Sequence, residues 1–262
     1  MRVLGLLSVL ILTLLAGCAT NPVTGQKDFV LMSESQEIAL GRETHPQVLE
    51  RYGYYDDPEL QAYVSRIGET LAARSHRQDL VFRFTVVDSS EVNAFALPGG
   101  YVYVTRGILP YFNSEAELAA VLGHEIGHVT ARHSVRQYTA AQVTGLAGAV
   151  IASQVGTPGA GDVLNVLGTA VVRGYGRQHE LEADRLGAEY LARTGYEPEN
   201  MLDVLGFLKD QQEYARQMAE EEGRDYQGYS GLLATHPSND RRLQELVRGA
   251  RQYQANGTAE NR

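Results

Sequence analysis

The stretch Val121-Leu-Gly-His-Glu-Ile-Gly-His-Val129 has the pattern H-E-x-x-H, with His124, Glu125 and His128 at its centre. Residues four apart on a helix lie on one face, with Cβ atoms about 5–6 Å apart, so both histidines could reach one cation. Glu125 lies around the same face, where it could accept a proton from an activated water rather than bind the metal. The alternative is a chance match on a helix that carries two histidines for structural reasons, so the surrounding sequence has to decide.

The sequence around this motif predicts the helix that a metal site needs. Ser114-Glu-Ala-Glu117 has the spacing of a capping box at a helix N-terminus. Leu118 and Leu122 supply an apolar face, and the helical pattern continues to about His133. His133 lies five residues past His128, off the face that the two ligands share, so we expect it to be a surface or core histidine.

The chain before the motif predicts two helices followed by a small β-sheet. Ser33-Glu-Ser-Gln36 and Asp57-Pro58 are typical of helix N-termini. Leu80–Val87 has the composition of a strand. Asn93–Gly100 is interpreted as a turn-rich link, and Tyr101–Val104 is a short β-branched and aromatic strand that follows it. The predicted fold class is therefore α+β and mainly helical, with a small β-sheet beside the H-E-x-x-H helix.

Tyr101, Val102 and Tyr103 are candidate substrate-binding residues. We expect Tyr101–Val104 to be an edge strand beside the site, because an edge strand can hold an extended peptide as an added strand. An ordinary hairpin strand fits the same sequence.

A catalytic zinc ion usually has three protein ligands, so the two histidines need a partner from elsewhere in the chain. Three acidic residues compete within Arg177–Gly187, namely Glu180, Glu182 and Asp184. On a helix Glu180 and Asp184 share a face, whereas Glu182 points nearly opposite Glu180. We therefore expect Glu180 to bind the metal and Asp184 to orient a ligand histidine. A solvated acidic helix face would have the same spacing.

The N-terminus has the features of a bacterial lipoprotein signal. Val3–Leu15 is a mostly apolar run after a positive start, and it is shorter than the about 20 residues that span a bilayer. Leu15-Ala-Gly-Cys18 resembles the lipobox, and Cys18 is the only cysteine of the chain. We predict a signal peptide over residues 1–17, a lipid on Cys18 and a tether over residues 18–32. A plain signal peptide with an incidental buried cysteine is the alternative.

The charge pattern excludes one class of partner and marks an unusual segment. The formal net charge is −9 and no basic block occurs, so the chain lacks the electrostatic footprint of nucleic-acid binding. No Asp, Glu, Lys or Arg occurs between Arg136 and Asp162. For residues 139–172 we favour a helical hairpin packed on the domain, with Gly156–Gly159 as its turn. The alternative is a segment that dips into lipid.

Together these motifs resemble the zinc peptidase family of HtpX and the CAAX prenyl proteases. The chain has H-E-x-x-H at His124–His128 and E-x-x-x-D at Glu180–Asp184, and residues 93–100 and Thr235-His236-Pro237 also match the family's pattern. The resemblance covers roughly residues 35–250. It implies a gluzincin fold, one Zn²⁺ per chain and endopeptidase action on proteins, often in the quality control of misfolded envelope proteins. The membrane members of the family carry transmembrane helices. This sequence shows no clear ones, so it resembles the bacterial lipoprotein branch.

Two residues near the C-terminus, His236 and Arg242, are candidate catalytic residues. His236 could simply cap the helix that follows it. Alternatively it could reach the zinc cleft, either to donate to a developing oxyanion or to occupy the fourth ligand position until substrate displaces it. Arg242 could stabilise the tetrahedral intermediate, and its alternative is a salt bridge to an acidic helix.

We therefore predict a metallopeptidase domain over residues 33–253, followed by a disordered tail over residues 254–262. It would be a zinc endopeptidase that degrades misfolded or unassembled envelope proteins. The predicted location is the bacterial cell envelope, with a lipid anchor facing the periplasm. Ala19 after Cys18 favours the outer membrane, so the outer-membrane assembly machinery is a candidate partner.

Two alternatives to a protease remain open. One is a chaperone-like assembly factor that binds outer-membrane protein precursors with little or no proteolysis. The other is a scaffold in which the zinc ion is structural. A structural site would be closed by four protein ligands, and His236 is the visible candidate for the fourth.

Overall fold

The computed structural model describes residues 18–151, 175–223, 232, 236 and 241–249. The predicted signal peptide over residues 1–17, the turn at residues 156–159 and the predicted tail over residues 254–262 lie outside the described residues. The elements in chain order are β1 (Cys18–Thr20), β2 (Lys27–Phe29), α1 (Glu34–Tyr52), α2 (Pro58–Ala72), β3 (Arg83–Val87), β4 (Ala94–Leu97), β5 (Tyr101–Thr105), a short 3-10 helix (Leu109–Tyr111), α3 (Glu115–Thr130), α4 (His133–Ile151), α5 (Arg177–Thr194), α6 (Asn200–Glu221) and α7 (241–249). The mainly helical α+β class predicted from the sequence is confirmed.

The predicted helix starts are formed by the residues that signalled them. At the start of α1 the Ser33 side chain accepts a hydrogen bond from the Gln36 backbone N–H. In return, the Gln36 side-chain oxygen accepts one from the Ser33 backbone N–H. Asp57 caps α2 in front of Pro58. Ser114 caps α3 by accepting a backbone N–H three residues on. Each cap satisfies N–H groups that have no partner within the helix.

The three-stranded sheet has the order β3-β5-β4, so β5 is its central strand. β5 pairs in parallel with β3 and antiparallel with β4, and all five of its residues are buried. The prediction that Tyr101–Val104 forms an edge strand is therefore wrong. Residues 94–97, interpreted from the sequence as part of a turn-rich link, form β4 and occupy that edge. Gly99 and Gly100, with φ of 77° and 91°, make the tight turn from β4 into β5.

This topology leaves Tyr101, Val102 and Tyr103 without a free backbone edge, so they cannot bind a peptide by strand addition. The strand that lies against α3 at the side of the sheet is β4.

Helix α3 lies at the centre of the core. It contacts α2, α5, α6 and β4, and every residue from Leu118 to Thr130 is buried. The opposite face of the sheet carries a second apolar cluster beneath α1, which includes Val48, Phe95 and Tyr103. The H-E-x-x-H motif is thus held rigidly on all sides, as a catalytic constellation requires.

The segment predicted to be a tether contains a short β-hairpin. β1 and β2 pair antiparallel, with Cys18 opposite Phe29. Asn21 makes the turn compact, because its side-chain oxygen accepts the backbone N–H groups of Val23 and Thr24. Ala19 of this hairpin packs against the apolar cluster of Val30, Met32 and Val135.

The predicted helix through the motif ends earlier than expected. We expected it to reach His133, but α3 ends at Thr130, and Arg132 has a φ of 55° before α4 begins at His133. This left-handed conformation is unfavourable for a residue other than glycine, so the surroundings must hold it. The guanidinium of Arg132 donates to Glu37 (2.9 Å) and to the backbone oxygen of Met32 (2.9 Å).

A buried ion cluster around Glu37 therefore joins α1 to the end of α3. The Glu37 carboxylate accepts from Arg132 and from Arg77 (2.7 Å), and all three side chains are buried. Arg77 also pairs with Glu34 (2.8 Å), whose side chain is 63% exposed. Two carboxylates of adjacent turns thus share one arginine but differ in burial.

Helix α4 covers the first part of the charge-free region, up to Ile151. No helix within the described part of the chain combines the length and the apolar character needed to cross a bilayer.

Glu37→Ala is expected to lower the free energy of unfolding by about 3–5 kcal/mol, because it leaves two buried arginines without their shared carboxylate. Glu34→Ala is the matched control and should cost less than about 1 kcal/mol, because an exposed ion pair contributes little. Urea unfolding of both variants measures the difference. Equal losses for the two variants would contradict a special role for the buried cluster.

Candidate metal centre

Four buried side chains bring one ligand atom each to a common point. They are His124 and His128 from α3, Glu180 from α5, and His236, and their ligand atoms all lie within 4.8 Å of one another. His124 Nε2 is 3.0 Å from His128 Nε2 and 3.1 Å from His236 Nδ1. The Glu180 oxygens lie 3.4 Å from His124 Nε2, 3.5 Å from His128 Nε2 and 3.2 Å from His236 Nδ1. The structure thus brings together the three predicted ligands and one predicted catalytic residue.

Glu180 reaches the histidines because α3 and α5 pack unusually closely. A Cβ atom on Gly127 would lie 3.0 Å from the backbone oxygen of Ala183, and one on Gly187 would lie 3.0 Å from the backbone nitrogen of His124. Both helices therefore need a residue without a side chain at the crossing. This role was not predicted from the sequence, although Gly123 and Gly127, four apart beside the histidines, are a visible signal.

The ligand set fits a zinc ion. Donor atoms at about 2.0–2.1 Å from Zn²⁺ in a tetrahedron are roughly 3.4 Å apart, close to the spacings found among these four side chains. Three imidazoles and a carboxylate are also the donor types that zinc prefers. Because four buried polar groups face one another, a central cation gives each of them a partner. The centre thus suits one Zn²⁺ per chain.

Asp184 lies one turn after Glu180 on α5, next to the ring of His124. Its Oδ1 is 3.0 Å from His124 Nδ1, the ring nitrogen that faces away from the other ligands. Arg242 holds the Asp184 carboxylate through two hydrogen bonds, from Nε (2.7 Å) and from Nη2 (2.6 Å). Its Nη1 lies 3.1 Å from Glu180 and donates to the backbone oxygen of His236 (3.3 Å). The structure thus places Arg242 in the salt bridge to the acidic helix.

Glu125 lies beside the ligands and outside their set. Its side chain is fully buried, and neither carboxylate oxygen accepts a hydrogen bond from any described residue. Oε1 is 3.2 Å from His236 Nε2. Burial raises the pKa of Glu125, although the charges of His236 and His124 oppose the shift. A buried carboxylate with free lone pairs next to a metal site can accept a proton from a water molecule.

His236 lies between the ligand cluster and Glu125. Its Nδ1 faces the ligand cluster and its Nε2 faces Glu125. The cavity adjoining the site is lined by His124, Glu125, His236 and apolar residues of α3 and α6, and it measures about 20 Å³. This volume has room for about one water molecule, so the geometry described is a closed one.

Two rings behind His128, those of Tyr175 and His133, have no function predicted from the sequence. The Tyr175 ring stacks on the His128 ring with centroids 3.9 Å apart, and its hydroxyl contacts Ser134 Oγ (2.7 Å). His133 Nδ1 lies 2.9 Å from His128 Nδ1, and His133 Nε2 lies 3.1 Å from Glu182. Spacing along a helix could not reveal these contacts, because they cross the break after α3.

The charges of the ligands are strongly coupled. Burial lowers the pKa of His124, but hydrogen bonds to Asp184 and Glu180 outweigh this and raise it to about 9. Burial holds the pKa of His128 well below its usual value. Burial would raise the pKa of Glu180, but the charges of His236 and Arg242 bring it well below its usual value. Without metal, the centre thus holds a proton on His124 and a carboxylate on Glu180 at neutral pH.

Several known proteins resemble this chain. A sequence profile described as Peptidase family M48 matches residues 58–250, a range that includes the four residues of the candidate metal centre. The chain is 31% identical to a protein of Yersinia pestis named beta-barrel assembly-enhancing protease, over 97% of this chain and 54% of the relative. The protein of the same name from Escherichia coli K12 is 31% identical over 89% of this chain and 47% of its own length.

Another relative comes from a plant. It is named mitochondrial metalloendopeptidase OMA1, from Arabidopsis thaliana, and is 33% identical over 73% of this chain and 36% of its own length. The chain spans about half the length, or less, of these curated relatives.

Zinc binding to the metal-free chain at pH 7 is expected to release about one proton, because His124 is protonated below pH 9 and must be neutral to bind the metal. The apparent affinity should therefore rise about tenfold per pH unit between pH 7 and 9 and then level off. Isothermal titration in two buffers of different ionisation enthalpy measures the protons released. Glu125→Gln should release the same number, and a pH-independent affinity would contradict the assignment to His124.

Proposed function

Because the chain belongs to peptidase family M48, we propose that it is a zinc-dependent endopeptidase that acts on proteins of the bacterial cell envelope. The observation that carries this proposal is the position of Glu125. It is a buried carboxylate with no hydrogen-bond donor from the described residues, and it lies next to three imidazoles and a carboxylate that suit zinc. A purely structural metal site has no need of such a group.

The chemistry follows from the roles of these side chains. When bound by His124, His128 and Glu180, Zn²⁺ supplies Lewis-acid chemistry, which polarises a carbonyl and acidifies water. Glu125 accepts the proton of the attacking water and then passes it to the leaving amine as the peptide bond breaks. Burial raises the pKa of Glu125, which makes its carboxylate a stronger base towards the attacking water.

We assign Arg242 to holding the ligand carboxylates. Its Nε and both terminal nitrogens are engaged by Asp184, Glu180 and the backbone of His236, and the side chain is buried. The ion pair fixes Asp184 against His124 and so fixes the ring orientation of that ligand. We therefore place Arg242 in the support of the metal site and not in direct contact with the reacting carbonyl.

The peptide-binding strand is better assigned to β4 than to β5. β4 is an edge strand of the sheet, and it contacts α3, the helix that carries the H-E-x-x-H motif. All four β4 residues are buried, and the backbone N–H of Leu232 donates to Val92 just before β4 (2.8 Å). Peptide binding there therefore requires Leu232, and with it His236, to move away.

The relatives suggest the substrate class. Two of them are named for a protease that enhances β-barrel assembly. We infer that this chain acts on misfolded or unassembled envelope proteins, with outer-membrane β-barrel precursors as the leading candidates. The chain would then work alongside the outer-membrane assembly machinery.

A lipid anchor at Cys18 would hold the enzyme on the periplasmic face of the outer membrane. Cys18 begins β1, directly opposite Phe29, so the anchor would be attached to a folded hairpin. Phe29, Leu31 and Val143 are 44–47% exposed on this side of the domain, and Phe29 and Val143 line one surface cavity. Exposed apolar side chains near the anchor are consistent with a surface that faces lipid.

A chaperone-like binding function is the second candidate, and one observation favours it. His236 supplies a fourth ligand atom, and the adjoining cavity of about 20 Å³ has no room for a peptide. A chain that stays closed would bind precursors and seldom cleave them.

Glu125→Gln is expected to keep the zinc ion and to lower the turnover of an unfolded protein substrate by about 10²–10⁴-fold, because the general base is lost. Cleavage assays and zinc analysis on the same preparation test this. Glu50→Gln is the matched control, because Glu50 is exposed on α1 and should leave turnover unchanged. Cleavage by Glu125→Gln at the normal rate would show that the assigned mechanism is wrong.

His236→Ala is expected to raise the cleavage rate with bound zinc retained, because His124, His128 and Glu180 are sufficient ligands and the fourth position becomes free. The rate on a short fluorogenic peptide and the zinc content of the variant measure this. A lower rate with zinc retained would indicate instead that His236 donates to the developing oxyanion. Unchanged, negligible cleavage in both the variant and the parent would favour the binding function.

A further inference from the structure

His133 links the ligand His128 to the surface of the protein. It begins α4, its side chain is fully buried, and its Nδ1 lies 2.9 Å from His128 Nδ1. On its other side, His133 Nε2 lies 3.1 Å from Glu182 Oε2. The same oxygen accepts from Arg136 Nη1 (3.0 Å), and both of these outer side chains are partly exposed. A continuous chain of four polar groups therefore runs outward from His128.

Metal binding fixes the order of the protons along this chain. His128 faces the other ligands through Nε2, so its proton must be on Nδ1. His133 Nδ1 must then accept that proton's hydrogen bond, which leaves the His133 proton on Nε2, where it can only donate to Glu182. Arg136 supplies the positive charge beside that carboxylate. Every group has a partner and no donor faces another donor.

The ligand His124 has a shorter support of the same kind. Its Nδ1 faces Asp184 directly, and Asp184 is held by Arg242. Each ligand histidine is thus supported by a carboxylate that is paired with an arginine. Behind His124 the carboxylate contacts the ligand directly, whereas behind His128 the ring of His133 lies between the ligand and the carboxylate.

We propose that His133, held by Glu182, is a positioning residue that fixes the ring and the tautomer of the zinc ligand His128. This rests on the zinc site of the proposed function but not on proteolysis. Residues that hold a ligand histidine through its distal nitrogen typically contribute a factor of about 10–100 to metal affinity. His133, Glu182 and Arg136 therefore support the metal centre, although none of them is a metal ligand.

The competing explanation is simple packing. The His133 ring stacks on the His179 ring with centroids 4.3 Å apart and lies near Tyr175. Two substitutions separate the explanations. His133→Phe keeps an aromatic ring but removes both nitrogens, whereas His133→Asn loses the ring but can place an amide oxygen near the position of Nδ1. If His133 acts by packing, His133→Phe should bind zinc more tightly than His133→Asn. If His133 acts by positioning, the order of the two affinities should be the reverse.

The test is made on the full chain carrying Glu125→Gln, so that self-cleavage cannot interfere. Zinc affinity is measured by competition with a chelator, and the visible absorption of the Co²⁺-substituted protein reports the ligand geometry. We expect His133→Phe to weaken zinc binding by about 10–100-fold and to alter the Co²⁺ spectrum, and His133→Asn to restore most of both. His76→Phe is the control, because His76 contacts Tyr190 and Glu189 but no ligand, and it should leave both unchanged.

Zinc affinity of His133→Phe equal to that of the parent, or higher than that of His133→Asn, would overturn the proposal. If His133→Phe does not fold, Glu182→Ala decides, because it removes the outer acceptor from a partly exposed position. It should weaken zinc binding measurably, and an unchanged affinity would overturn the proposal. A parent chain that binds no zinc at all would overturn the zinc site itself, which distinguishes the two failures.

Discussion

The close packing of α3 against α5 is the constraint on which the rest of the structure depends. Gly127 and Gly187 let the two backbones approach until a carboxylate on α5 meets two imidazoles on α3. Burying Glu180 away from water is costly by itself, because an ionised carboxylate loses its hydration. The cost is offset by the guanidinium of Arg242, by the facing imidazoles and by the metal that these ligands suit. The polar groups that face Glu180 therefore stabilise the close packing of the two helices.

The left-handed turn at Arg132 that ends α3 connects the N-terminal helix α1 to the metal centre. Glu37 on α1 holds Arg132 in a left-handed conformation, and that conformation reverses the chain so that α4 begins beside α3. His133, five residues after His128, thereby comes to lie behind it instead of around the helix from it. One buried ion cluster thus ties the N-terminal helix to the metal centre, so a loss of folding stability at Glu37 and a loss of metal affinity at His128 are physically related.

The closed geometry connects the two candidate functions. His236 contributes to the ligand set and contacts Glu125, and the backbone N–H of Leu232 donates to Val92 just before β4. His236 therefore lies against the groups that would cleave a peptide, and Leu232 lies beside the strand that would hold it. An enzyme in which these two residues move away only for suitable substrates and a binding protein in which they rarely move differ in one conformational equilibrium. The catalytic groups are the same in both cases.

The sequence alone determined the class of the fold and the helix N-termini at Ser33, Asp57 and Ser114, and it predicted His124, His128 and Glu180 as metal ligands. Caps and helix faces depend on residues three or four apart. It could not determine that β5 is central, since strand order depends on which segments pair and residues 94–97 carried a turn signal. Nor could it place His133 behind His128 or Arg242 on Asp184. Those contacts depend on a helix break and on side chains 58 residues apart meeting in the core. Local periodicity fixes what one element presents, and only the tertiary structure decides which groups from different elements meet.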